Sequence, residues 1–498
     1  LLPNNLSDAQ SGMIAKAPTG IAGLDDITHG GLPAGRTTLV CGGPGCGKTV
    51  LAMEFLVRGA LEFGEPGLFV CFEESTDDLY RNFKSLGFDL EALVEEKKLA
   101  ISHIKLSRSE IVEAGEFTLD GLFIRLDHAM KQIGAKRVAL DTMETLFSSL
   151  SSTEWLRSEL ARLFEWLKDK AVTTVITGER GAADLTRHGF EEYVSDCVLL
   201  LDHRISEQVS KRRLRVVKYR GSSHDMDEYP FLIGDTGFTA LPISSVHLDH
   251  AVGTERVSTG VPDLDAMMGG SGYFRGSSIL LSGGAGAGKT TLASAFAAST
   301  CKRGESCIFF AFEESADQIL RNMSSVGIDL QPFVDNGLLS IQARRPTLFG
   351  IEEHLMAVVK QAKRLTPKAV VIDPITNFLS IGAAWEVKSL LTRVLDLLRG
   401  MGATVLLTGL TPGDGSVEKS EVGMSSMMDT WVALNHRMNG NVRQGYLYVL
   451  KSRGMAHSRE VRELTLSASG VSLRTLPAAA SGLQDQRNEL SGSSGGNR

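Results

Sequence analysis

Two octapeptides hold the residues best suited to chemistry, GGPGCGKT at 42–49 and GGAGAGKT at 283–290. Both fit GxxxxGK[ST], and each lies between an apolar strand pattern and a helical one. The glycines, Gly42, Gly43, Gly45 and Gly47 in the first and Gly283, Gly284, Gly286 and Gly288 in the second, let backbone N–H groups curl around anionic oxygens. Lys48 and Lys289 are placed to reach β and γ phosphates. Thr49 and Thr290, the latter followed by Thr291, carry hydroxyls that suit Mg²⁺. The implied ligand is ATP with Mg²⁺, bound twice.

Further residues recur in the same frame. Asp141 and Asp373 close apolar strands, as a carboxylate completing the magnesium shell would, although a turn cap would look the same. CFEES and AFEES supply Glu73-Glu74 and Glu313-Glu314 just after the second strand of each frame. On an extended segment neighbours point opposite ways, so one Glu can face the γ-phosphate and order a water or take a hydroxyl proton. KYR and KSR set Lys218 with Arg220 and Lys451 with Arg453 at i and i+2, a shared strand face. They read as a cationic clamp offered to a neighbour's ATP, or as a basic edge that blocks strand pairing. Finally, EVGMSSMMDT aligns with FEEYVSDC so that Ser425-Ser426 fall where the earlier copy has Glu192-Tyr193. A hydroxyl pair can keep a phosphoryl group as a stable ester. A carboxylate gives a labile acyl phosphate.

These elements must be positioned by a fold that the chain writes twice. LVCGGPGCGKT returns as LLSGGAGAGKTT, FVCFEESTDDLYRNFKSLGFDL as FFAFEESADQILRNMSSVGIDL, and RVALDTMETLF as AVVIDPITNFL. The offset holds near 240 residues early in the unit and near 233 later. That is too long for a solenoid, so each copy must fold by itself. We expect one domain over 14–247, another over 248–470, and a flexible Ala/Ser/Gly-rich tail over 471–498. Short β-branched runs alternate with longer helical patterns, which predicts an α/β fold with a mainly parallel sheet flanked by helices.

Composition bounds the rest. With 43% hydrophobic and 22% charged residues among 498, the chain reads as soluble and globular. No apolar run reaches a membrane span, and LLPNNLSDAQSG is not a secretory signal. Six cysteines without a CxxC pair fit a reducing cytoplasm. A net charge of −7 argues against nucleic acid as partner.

With paired FEES segments, K-x-R-G-x-x-H strands and SSMMDT in order, the sequence resembles the KaiC family, double-domain RecA-like ATPases of the cyanobacterial circadian clock. The likeness runs from about residue 19 to 470. It implies two stacked RecA-like rings in a homohexamer with ATP at each subunit interface. It implies a slow ATPase ring using Glu73-Glu74, and a second ring where Glu313-Glu314 support autophosphorylation of Ser425 and Ser426. Lys218, Arg220 and His224, and Lys451, Arg453 and His457, would contact the neighbour's nucleotide. EAGEFTLDGLF (113–123) resembles the family's KaiB-docking loop region, so a KaiB-like protein is the expected partner. The polar C-terminal stretch offers no counterpart of the KaiA-receiving tail. The family's second acceptor is commonly Thr, where this chain has Ser426. The competing classes are a nucleic-acid-stimulated motor and an ATP-hydrolysing scaffold that never modifies itself.

Overall fold

The computed structural model describes residues 14–104, 119–142, 153–181, 195–206, 209–224, 226–241, 253–345, 350–380, 382–411, 426–439 and 441–476. The chain divides into two compact units, Leu1–Ser245 and Val246–Arg498. Each is built on one nine-stranded sheet.

In the first unit the main elements are β1 (Thr37–Gly42), α1 (Lys48–Glu62), β2 (Gly67–Cys71), α2 (Thr76–Lys84), β3 (Leu99–His103), α3 (Asp120–Ile133), β4 (Arg137–Asp141), α4 (Thr153–Asp169), β5 (Thr173–Glu179), β6 (Cys197–Ser206), β7 (Val209–Tyr219), β8 (Tyr229–Gly234) and β9 (Gly237–Ala240). The strand order is β9-β8-β7-β6-β1-β5-β4-β2-β3. The six strands from β6 to β3 run parallel, and β7, β8 and β9 extend the sheet antiparallel. Strands buried on both faces should read as continuous apolar runs. β1, β2 and β4 do so, and all their residues are buried.

The second unit repeats the plan with β10 (Ser278–Gly283), α5 (Lys289–Lys302), β11 (Cys307–Ala311), α6 (Ala316–Ser325), β12 (Leu339–Ala343), α7 (Ile351–Leu365), β13 (Ala369–Asp373), α8 (Ala384–Gly400), β14 (Thr404–Leu410), β15 (Thr430–Asn439), β16 (Val442–Ser452), β17 (Arg462–Ser467) and β18 (Gly470–Thr475). Its order is β12-β11-β13-β14-β10-β15-β16-β17-β18. Both sheets are tandem RecA-like α/β arrangements, as the sequence predicted. α5 is rich in small residues on every side, KTTLASAFAASTCK, and is buried nearly all round.

One expected boundary moves. The flexible tail was to start at 471, but β18 pairs antiparallel with β17 from Gly470 to Thr475. The alternation in GVSLRT puts Leu473 into the core, and its N–H donates to Asp263 Oδ2 at 2.8 Å. Among the described residues no helix is long and apolar enough to cross a membrane.

Candidate active site

Each phosphate loop joins the central strand of its sheet to a buried helix. Gly47 and Gly288 cap α1 and α5 at φ 102° and 93°, and Gly45 and Gly286 sit at φ 68° and 73°. These are left-handed conformations that favour glycine. A Cβ at Gly43, Gly45, Gly284 or Gly286 would meet nothing within 4 Å, so the inner surface of each loop is open. A Cβ at Gly42 would lie 2.3 Å from Leu201 O, and one at Gly283 2.5 Å from Leu434 O, so close strand packing requires glycine there. Lys48 Nζ donates to the carbonyls of Gly42 and Gly43 at 2.9 and 3.0 Å. Lys289 does the same to Gly283 and Gly284 at 2.9 and 2.8 Å. Burial pulls the Lys289 ammonium down, against Asp373 and Glu313, which favour its charge.

The acidic residues assemble beside each lysine. Thr49 Oγ1 donates to Asp141 Oδ2 at 2.9 Å and Thr290 Oγ1 to Asp373 Oδ2 at 2.8 Å. The other carboxylate oxygen accepts from Thr177 Oγ1 at 2.5 Å in the first unit and from Thr408 Oγ1 in the second. Burial raises both aspartates above the ordinary carboxyl range, and the threonine bonds and the loop lysine pull back. Hydroxyl and carboxylate oxygens are hard donors, so Thr49 with Asp141 and Thr290 with Asp373 fit a magnesium shell completed by water and phosphate.

Both glutamate pairs sit on a bend rather than an extended segment, between the second strand and a helix capped by Ser75 or Ser315. The bend gives the two members different settings. Glu314 Oε1 accepts from Asn322 Nδ2 at 3.0 Å, and Glu74 is hydrogen-bonded by Asn82. Partial burial and then the Asp141 carboxylate raise Glu74. Glu313 is the member whose charge acts on both Lys289 and Asp373, whereas in the first unit Glu73 and Glu74 both interact with Asp141. In the second unit Glu313, Glu314, Lys289, Thr290 and Asp373 line one cavity of about 360 Å³, together with the apolar side chains of Ile319, Met323 and Leu466. The sequence reading missed Asn82, Asn322, Thr177 and Thr408. All four recur at fixed places in the repeat, which could have exposed them.

The clamp residues lie elsewhere. Lys218 pairs with Val198 on β6, and Val198 pairs with Leu39, three residues before the end of β1. Lys451 likewise stands across from Trp431, itself across from Leu280. The arginines were expected on the strand face beside their lysines. Instead each falls one residue past its strand, where Gly221 (φ 76°) and Gly454 (φ 72°) turn the chain. Arg220 approaches Asp196 at 4.0 Å, and Arg453 Nη2 donates to the Ser426 carbonyl at 2.6 Å. Burial, then Arg453, lowers the Lys451 ammonium. His224 and His457 follow on the same turns, with His457 Nδ1 at 3.5 Å from Met455 O. Ser426 is exposed. It stands three residues before Asp429, whose N–H donates to Ser278 O at the start of β10. The phosphate loop leaves the far end of that strand at Gly283, roughly 17 Å away at 3.3 Å per residue. Ser425, Glu192 and Tyr193 lie outside the described residues, as does most of 113–123.

Two mainly parallel sheets, each with a glycine loop, lysine and threonine after its central strand and a buried aspartate ending a strand two places away, define a tandem P-loop ATPase. A family model described as "ATPase: KaiC" matches residues 17–245 and 257–477. Among curated relatives, "Circadian clock protein KaiC2" of a Synechocystis species is 53% identical over 94% of this chain and 82% of its own. "Circadian clock oscillator protein KaiC" of Parathermosynechococcus lividus is 37% identical over 93% and 86%, and that of Synechococcus elongatus 36% over 95% and 91%. The chain belongs to the KaiC ATPase family.

Proposed function

We propose that this protein is a cytoplasmic, hexameric Mg-ATPase whose second domain phosphorylates its own Ser425 and Ser426, and that it works as the core of a timing system with a KaiB-like partner on its first domain. The observation that carries the reading is the position of Ser426 and Arg453 on the sheet edge opposite their own phosphate loop. An acceptor there is out of reach of its own ATP, so phosphate must come from the next subunit of a ring, with Lys451 and Arg453 beside the donor's phosphates. Lys218, Arg220 and His224 would serve the first ring likewise.

In the transfer, the serine Oγ attacks the γ-phosphorus of the neighbour's ATP. The hydroxyl proton passes to Glu313, whose charge already bears on Lys289 and Asp373. The bond to the β,γ-bridging oxygen breaks and ADP leaves. Glu314, tied to Asn322, positions the pair. In the first domain Glu73 orients a water in place of a serine, and Glu74 with Asn82 plays the positioning part. Magnesium, held by Thr49 with Asp141 and Thr290 with Asp373, would neutralise charge on the phosphates. The relatives' names supply the timing role, and the resemblance of residues 113–123 to a KaiB-docking region supplies the KaiB-like partner.

The test mixes two chains. Lys289→Ala keeps the serines but cannot donate, and Ser425→Ala/Ser426→Ala donates but cannot accept. Phosphopeptide mapping after incubation with Mg-ATP should find phosphate on Ser425 or Ser426 of the Lys289→Ala chain only in the mixture. An unmodified wild type that still hydrolyses ATP would leave the scaffold reading instead.

A further inference from the structure

The first unit carries a buried carboxylate that the ATPase chemistry above does not use. Glu54 lies on α1, six residues past Lys48, and is 0% exposed. Its Oε1 accepts from Arg58 Nε at 2.6 Å and its Oε2 from the Phe238 backbone N–H at 2.6 Å. Phe238 belongs to β9, so the carboxylate ties the phosphate-loop helix to the β8–β9 hairpin. Arg58 adds a longer contact from Nη2 to Thr236 O at the hairpin turn, 3.4 Å. Space for the carboxylate comes from Gly237, at φ 87°, where a Cβ would lie 2.4 Å from Glu54 Oε2. An alanine there would both strain the backbone and displace the acid.

The hairpin held this way rests on the phosphate loop. Ile233 pairs with Phe238, and Phe231 stacks on Phe238 with ring centroids 4.3 Å apart. Ile233 Cδ1 lies 2.4 Å from where a Cβ of Gly47 would be, with Phe231 at 3.9 Å. Gly47 is the residue at which the loop turns into α1. The turn of the hairpin also reaches Gly87, just past α2, where a Cβ would meet Asp235 O at 2.8 Å.

The second unit closes its loop differently. Ala295 stands where Glu54 does, and Leu464 and Leu466 of β17 lie only at 3.4 Å from a Cβ at Gly288. Its hairpin is fastened farther along, by Asp263 on the N–H of Leu473.

We propose that Glu54 is a positioning residue for the first nucleotide site, clasping the β8–β9 hairpin onto Gly47 so that the exit of the phosphate loop is fixed before ATP arrives. The clasp acts on ground-state and transition-state binding alike, so its loss appears in KM and spares kcat. The inference rests on ATP hydrolysis by the first domain and is independent of serine phosphorylation.

The experiment uses the full chain with Lys289→Ala silencing the second site, and follows ATP hydrolysis against ATP concentration. Glu54→Ala should raise KM about tenfold, the loss of one buried charge-assisted hydrogen bond, with kcat changed less than about twofold. Glu54→Gln keeps an acceptor for Phe238 and should bring KM back to within about threefold of the parent. In the complementary background, Lys48→Ala, ATP affinity of the second site should not respond to Glu54→Ala. A KM within twofold of the parent for Glu54→Ala overturns the proposal. If that variant does not fold, Ile233→Ala decides, since it removes the contact on Gly47 and leaves the clasp. It should raise first-site KM at least about fivefold, and an unchanged KM overturns the proposal equally.

Discussion

The helices that follow the two phosphate loops occupy equivalent places and are held by opposite means. Around α1 the first unit buries charge. Arg137, the first residue of β4, is fully buried, donates to Glu65, Phe55 O and Pro18 O, and lies against the rings of Phe55 and Phe63. Gly59 makes room for it, since a Cβ there would lie 2.4 Å from Arg137 Cδ. Around α5 the second unit has Ala369 in place of Arg137, Thr300 in place of Gly59 and Ala295 in place of Glu54, all buried. One sequence plan thus supports two solutions, a directional one made of paired charges and a packed one made of small side chains. Charges specify geometry but depend on every partner being present. Small side chains tolerate more, and fix less.

That contrast can be broken from either side. The largest effect is expected from Ala369→Arg, which forces an arginine against the buried Thr300, where the first unit has Gly59 to make room, while Glu305, at the place of Glu65, is already held by Arg275 and Arg303. It should cost the second unit about 4 kcal/mol, read as a downward shift of one of two unfolding transitions in urea. Next, Arg137→Ala should lower the first unit's stability by about 3 kcal/mol and leave the second transition in place. If both transitions moved together, the units would not be behaving as separate cores.

A smaller effect separates the two active sites. Asn322→Ala releases Glu314 and should slow serine phosphorylation about tenfold while first-domain hydrolysis continues, measured by phosphopeptide accumulation beside phosphate release. Asn82→Ala should show the reverse pattern. The smallest concerns Glu305, which faces Arg275 at 2.6 Å and Arg303 at 3.0 Å. Burial pushes its carboxyl up, but the hydrogen bonds from Arg275 and Arg303 outweigh that and hold it below the ordinary range. A depressed carboxyl stabilises the fold above its unfolded pKa, and that contribution is lost as pH falls through the lower folded value. Arg275→Gln should therefore cost under about 1 kcal/mol at pH 7, with the difference fading in acid.

Much of this was legible in the sequence, for a physical reason. Phosphate loops, strand-ending aspartates and the FEES bends are local, and their chemistry dictates residue types at fixed spacing. Thr177, Thr408, Asn82 and Asn322 are ordinary polar residues until the sheet brings them to a carboxylate. Arg137 sat inside RVAL and was read only as strand, because burial of an arginine is rare without partners, and Glu65 and Pro18 are far away in sequence. The register of β7 and β16 is what set the clamp residues at the far edge. β18 was lost to the small-residue composition around it, although Val471 and Leu473 alternate as a strand should.

The clasp between Glu54 and Phe238 spans 184 positions of sequence. A ribosome adding roughly 5–20 residues per second makes the phosphate loop some ten to forty seconds before the hairpin that seats it. During that interval the nascent first domain has its lysine and glycines but not the lid that steadies them. If the proposed clasp holds, ATP then binds the early half more weakly and stabilises it less. It favours most a domain whose last strands have arrived, so tight nucleotide binding would mark completed synthesis.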